Sequence, residues 1–266
     1  MRLFVSGLQK LATRMATLLT FGLLAGLLVM IDLAVATTRG GGGSDGGGDP
    51  LALVTFPGAY NLILSFLFGL GGLFAVIYGA AIAGSEWTWG TLKTAVVRGE
   101  SRSRYLLATF AAIAVVMALG LLTAFVIGVG AAALGSVIAG IPLDGIGDTT
   151  ALAALPEHFA RGWVAITATA ALGFAVATLA RSQLAGIGVG IAFYFGETFA
   201  GIFLPDVVRY LPFHLSQAAV GGSESFGGPP DPGALSIGTA LVLVTVWLIG
   251  SLVVAAGFSE RAEITG

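Results

Sequence analysis

The residues with chemistry to offer are few, and one stretch is the most charged in the chain. Between Gly84 and Arg104 stand Glu86, Lys93, Arg98, Glu100, Arg102 and Arg104, with Trp87 and Trp89 among them. The stretch reads as a short helix that starts at Ser85 or Glu86, where an acidic residue favours a helix N-terminus. Its charges can make charge-assisted contacts with another polypeptide, and its tryptophans suit the boundary between water and lipid. Glu197 is the second candidate. It lies inside an apolar run, where an ionisable residue is costly unless it faces a cavity or a partner. Two roles fit it: a cavity or gate residue, or a carboxylate near an interface that is hydrogen-bonded to a neighbouring helix. The other polar residues within the apolar runs are Asp32, Asn61, Tyr78 and Tyr194. The two histidines, His158 and His214, are too few for a metal site. The chain has no cysteine, which excludes disulfides, thiolate zinc sites and cysteine nucleophiles. No GxxxxGK[ST] or HExxH occurs. No catalytic residue is assigned, and the chain is expected to bind no cofactor.

The elements that must position these residues are membrane spans. The 266 residues are 56% hydrophobic and only 10% charged, with a mean hydropathy of +0.97. A soluble domain carries roughly 25% charged residues. The apolar residues fall in runs near the roughly 20 residues that a bilayer core requires. The expected fold is therefore all-α: one polytopic membrane domain with six spans at about 15–37, 59–84, 105–130, 162–180, 184–204 and 235–258. The first run is longer than the apolar core of a cleavable signal peptide and is read as a span. The third apolar stretch continues to Ile141, either as a long tilted helix or as a span followed by an interfacial segment.

Three flanking features complete the layout. Residues 2–14 place Phe4, Leu8, Leu11 and Met15 at helical spacing, with Ser6, Gln9, Lys10, Thr13 and Arg14 opposite, the pattern of an interfacial amphipathic helix. The glycine run 40–48 reads as a flexible linker. The loop 205–234 begins with Val207, Val208, Tyr210, Leu211, Phe213 and Leu215, too apolar for a free linker. It predicts a short helix at or dipping into the interface, followed by a Gly/Pro stretch without order. Small residues, Gly69, Gly71 and Gly72 and the Gly186/Gly190 pair, are candidates for close helix packing.

With the N-terminus inside, nine basic residues fall on one side: Arg2, Lys10, Arg14, Lys93, Arg98, Arg102, Arg104, Arg181 and Arg261. Only Arg39, Arg161 and Arg209 fall on the other. This bias predicts cytoplasmic termini. The formal net charge of −2 points to no nucleic-acid partner.

The pattern Glu86, Gly90-Thr91, a short apolar helix, then Ser101-Arg102 (repeated as Ser103-Arg104) resembles permeases of the ABC-2 transporter type. That family usually places a proline before the Ser-Arg pair, where this chain has Gly99-Glu100. The ending Phe258-Ser259-Glu260-Arg261 also resembles the family's last span, and the layout of helices matches along the whole chain. The resemblance implies a permease subunit of an ATP-driven exporter in a prokaryotic cell membrane. A separate ATP-binding subunit would carry ATP and Mg, and a second copy or a related permease would pair with this one in the lipid. Glu86, Gly90, Thr91, Lys93, Arg98 and Arg102 would then couple the spans to the ATPase, while Asn61, Tyr194 and Glu197 are candidates for the substrate path. The glycine-rich spans suit a drug, a peptide, a lipid or a small ion alike. An ion-coupled secondary transporter, which Glu197 would serve, and a non-transporting membrane scaffold are the other classes that the composition admits.

Overall fold

The computed structural model describes residues 2–37, 51, 54–97, 99–221 and 235–261, with the backbone alone at Arg2, Leu3, Lys93 and Ala95. The glycine run 40–48 and the stretch 222–234 lie outside these. Ten α-helices are described: α1 (Arg2–Ala12), α2 (Met15–Thr37), α3 (Gly58–Thr88), α4 (Thr91–Val97), α5 (Arg102–Ala139), α6 (Thr149–Ala180), α7 (Gln183–Phe203), α8 (Pro205–Val208), α9 (Pro212–Ala219) and α10 (Ile237–Arg261). Six of them, α2, α3, α5, α6, α7 and α10, are long and apolar enough to cross a membrane. The molecule is a polytopic, all-helical membrane protein, since helices satisfy their own backbone where no water can.

Several boundaries differ from the sequence reading. The third span is one unbroken 38-residue helix, about 57 Å long at 1.5 Å per residue, so α5 outruns the bilayer core. No separate interfacial helix follows it; a 3-10 turn at Asp144–Gly147 leads directly into α6. That helix begins 13 residues before Gly162, because Asp148 caps it by accepting the Ala151 N–H at 2.8 Å. The expected helix from Ser85 to Val97 is two pieces. Ser85 and Glu86 belong to the last turn of α3, and α4 starts only after Gly90, whose φ of 65° lets the chain turn there. Glu86 thus sits at a helix C-terminus, the unfavourable end for a carboxylate, and needs cations to hold it.

Small residues set the helix crossings, at positions other than some of those expected. A methyl at Gly79 would overlap the Ala170 carbonyl, and one at Gly173 would overlap that of Val76, so α3 and α6 touch backbone to backbone. Gly186 and Gly190 face Ala177 and Val76, whereas Gly69 and Gly71 face open space. Along α5, Gly120, Gly128 and Gly135 receive Phe21, Leu28 and Ala36 of α2.

The amphipathic α1 turns its apolar face onto protein. Leu11 is buried, Phe4 and Leu8 pack on the core, and Gly7 lies against Ala112 of α5. The helices α8 and α9 replace the single short helix expected after the fifth span. Helix α9 dips into the bundle, burying Pro212, Phe213, Leu215, Ser216 and Ala219.

Candidate functional site

The bundle has two polar ends. At the α1 end, Glu86 organises the contacts. It is 1% exposed, so it does not offer its carboxylate outward as its place in a charged loop predicts. Lys10 donates to Oε1 at 2.8 Å and Oε2 at 3.1 Å, and Arg14 Nη2 reaches Oε1 at 3.1 Å. Tyr105 donates to Oε2 at 2.6 Å, and the Thr91 hydroxyl donates to the same oxygen. Arg14 Nη1 also donates to Ser85 Oγ at 2.7 Å. One carboxylate therefore joins α1, the end of α3, the first residue of α4 and the start of α5. Burial of a charge is tolerable only with such pairing.

Around this knot the Ser-Arg pair meets the C-terminal cluster. Arg102 donates to the Ser259 carbonyl at 3.2 Å, and the backbone and hydroxyl of Ser103 donate to Glu260 at 3.0 and 2.5 Å. The tight hairpin between α6 and α7 places Arg181 in the left-handed region, φ 50°. Its guanidinium lies 5.5 Å from the rings of both Trp87 and Phe258, and that of Arg14 lies 4.9 Å from Trp89. The sequence motifs at Glu86, Ser101-Arg102 and Phe258-Ser259-Glu260 are thus neighbours in space. Helix α4 stands out from them, with Thr94 exposed and Val97 87% exposed. Arg98 and the side chain of Lys93 lie outside the described residues.

At the opposite end Glu197 is 2% exposed. Its Oε2 accepts the backbone N–H groups of Phe213 and His214, each at 3.1 Å, and the His214 ring Nδ1–H at 3.2 Å. These amides belong to the first turn of α9, which has no partners of its own for them. Glu197 therefore caps the first turn of α9, a carboxylate hydrogen-bonded to a neighbouring helix.

The other candidates of the substrate path do meet. Asn61 and Tyr194 line a cavity of about 300 Å³ between α3, α6, α7 and α9, with Ser65, His158 and Gln217. Glu197 is not among its lining residues. Position 158 falls one turn above Ala154 on α6, and its Nδ1 is 2.8 Å from the Ala154 carbonyl. A carbonyl only accepts, so Nδ1 carries the hydrogen. Asp32 is apart from both ends' networks; it is fully buried and its carboxylate has no hydrogen-bond partner among the described residues. No group of three or more potential metal ligands occurs among the described residues.

Sequence reasoning missed Lys10 and Arg14 as partners of Glu86. Their i, i+4 spacing on the polar side of an amphipathic helix was the available signal. It also missed Tyr105, whose type and place at the start of an apolar run carry no such signal.

Six apolar helices with two polar ends define a multi-pass membrane protein. The family described as "Protein of unknown function (DUF2705)" matches residues 47–256, and the chain belongs to it. It is similar to "Uncharacterized protein YhcI" of Bacillus subtilis (strain 168), 24% identical over 210 residues. The match covers 73% of this chain and 65% of that relative, so the chain spans less than two thirds of the relative's length.

Proposed function

We propose that this chain is the permease subunit of an ATP-driven exporter of the ABC-2 type, powered by a separate ATP-binding subunit. One observation carries the reading. A seven-residue helix, α4, stands out from one end of the bundle while its first residue is tied through Glu86 to α1, α3 and α5. A short rigid helix joined directly to two spans is what a neighbouring ATPase needs to push, and exposed Val97 and Trp89 offer it an apolar contact. Closure of the ATPase pair would then shift the spans as a body. On this reading Glu86 does not touch the ATPase; it stiffens the lever that does. Arg98 is the charged contact. ATP and Mg belong to the partner, and a second permease, the same or related, completes the transporter in the lipid.

The positive-inside bias supports cytoplasmic termini and a cytoplasmic α4, in the cell membrane of a prokaryote. The cavity lined by Asn61 and Tyr194 would then open toward the outer half of the membrane, on the export path.

Two measurements test the proposal. The solubilised chain should co-purify with an ATPase that carries a Walker A motif, and Arg98→Ala should lower substrate-stimulated ATP hydrolysis without loss of membrane insertion. Failure of any ATPase to co-purify favours a carrier or a scaffold. A Thr94→Cys variant of this cysteine-free chain should resist an impermeant thiol reagent in intact cells and react in inverted vesicles. Labelling in intact cells overturns the topology.

A further inference from the structure

The cavity between α3, α6, α7 and α9 has a composition that selects among ligands. Asn61 and Ser65 come from α3, His158 from α6, Tyr194 from α7 and Gln217 from α9. Apart from His158 Nδ1, which is committed to Ala154, none of these side chains has a hydrogen-bond partner among the described residues. Polar groups that share a recess beside apolar walls and lack partners are available to a guest. No Asp, Glu, Lys or Arg lines the space, and Phe66 and Phe68 supply apolar surface beside them.

We infer that this cavity binds an uncharged molecule with an apolar body and an amide or hydroxyl group. The two carboxamides and the two hydroxyls each both donate and accept, so they match such a group in either orientation. A charged guest would shed its water without meeting a counter-charge, a cost that hydrogen bonds from neutral groups repay poorly. A phospholipid headgroup fails for the same reason, since its phosphate finds no cation here. The volume is at the lower end for small-molecule sites, which calls for a compact guest. Use of the cavity as a substrate site rests on the exporter reading and would make the cargo a neutral amphiphile. Binding itself does not rest on that reading.

Photolabelling of the purified full chain in phosphatidylcholine nanodiscs tests this with a matched pair of probes, benzophenone-4-carboxamide and benzophenone-4-carboxylate. The first is neutral and the second anionic on the same body. Labelling of peptides that carry residues 61–70 or 194 is divided by labelling of the outward-facing Val242 and Val246 on α10, which corrects for unequal partition into lipid. The corrected labelling by the carboxylate should be roughly tenfold below that by the carboxamide. Asn61 and Gln217 lie on the exposed rim, so an Asn61→Leu, Gln217→Leu double variant keeps its fold. It should reduce carboxamide labelling by roughly tenfold through two lost hydrogen bonds. Equal corrected labelling by the two probes overturns the inference, as does carboxamide labelling unchanged in a folded double variant. Selective labelling without any co-purifying ATPase would overturn the exporter reading alone, and the converse would overturn this inference alone.

Discussion

Glu86 and Glu197 are almost equally buried, at 1% and 2% exposure, and opposite means satisfy them. Glu86 sits at the C-terminal end of α3 and is held by side chains from other elements: Lys10 of α1, Arg14 of the turn between α1 and α2, a hydroxyl of α4 and a phenol of α5. Glu197 sits near the C-terminal end of α7 and is held by one short helix, whose N-terminal amides and first-turn imidazole all point at it. The first arrangement ties together elements distant in sequence. The second fixes a local turn, since Glu197 and its partners are 16 and 17 residues apart. A buried acid in an apolar helix is therefore not by itself a mark of function; what it binds decides its role.

The comparison breaks most visibly at Glu86. Glu86→Ala removes the anion and strands Arg14, whose side chain is only 11% exposed, beside Ser85 and Trp89. Removal of one member of a buried pair costs on the order of 3–5 kcal/mol. The thermal unfolding midpoint of the purified chain should fall sharply, and protease should reach the joint between α3 and α4 sooner. An unchanged midpoint would mean that the knot is ornamental.

Glu197→Leu is expected to cost less, about 2–3 kcal/mol, because two backbone N–H groups and an imidazole lose their acceptor in a buried site. Its effect should be confined to α9 and its surroundings. Hydrogen exchange should rise in residues 212–219 and not at the α1 end. Exchange that rises at both ends would refute the local role drawn for Glu197.

The contrast also explains what could be read from the sequence. The six spans were legible because hydropathy and length are properties of a single run, and the motifs at Glu86, Ser101-Arg102 and Phe258-Ser259-Glu260 because they are short. The extension of α6 back to Thr149 was not, since residues 149–161 include Pro156, His158, Glu157 and Arg161 and lack the apolar signal. The inward turn of Glu86 was hidden for another reason. A carboxylate within a charged loop looks exposed until α1 and the turn after it, which supply Lys10 and Arg14 from more than 70 residues earlier, are packed against it. Glu197 was legible as costly but ambiguous in role, because its partners are backbone amides that every residue except proline carries.

A smaller effect separates the two cations that hold Glu86, Lys10 of α1 and Arg14 of the turn after it. Lys10 has a side chain 35% exposed, so water takes over much of its role when it is removed. Lys10→Ala should cost about 1 kcal/mol, near the upper range for an exposed pair, and less than Arg14→Ala. Thermal unfolding of the two variants measures the order. A larger loss at Lys10 than at Arg14 would show that burial does not rank these contacts.

The smallest expected effect is the most informative about transport. In Glu197→Gln the amide oxygen can occupy the place of Oε2, which accepts from Phe213, His214 and the His214 ring. Those contacts survive; the weaker Phe213 N–H contact to Oε1 at 3.3 Å is lost, along with the attraction between a negative charge and the positive end of α9. That attraction is worth about 1 kcal/mol or less. The stability of the variant should therefore lie close to wild type and well above that of Glu197→Leu. Transport in proteoliposomes with the ATPase subunit should also be near wild type, because Glu197 does not line the cavity that Asn61 and Tyr194 share. A stable Glu197→Gln variant with altered substrate preference would contradict this. It would mean that the carboxylate acts through its charge, and that the cap of α9 is also part of the path.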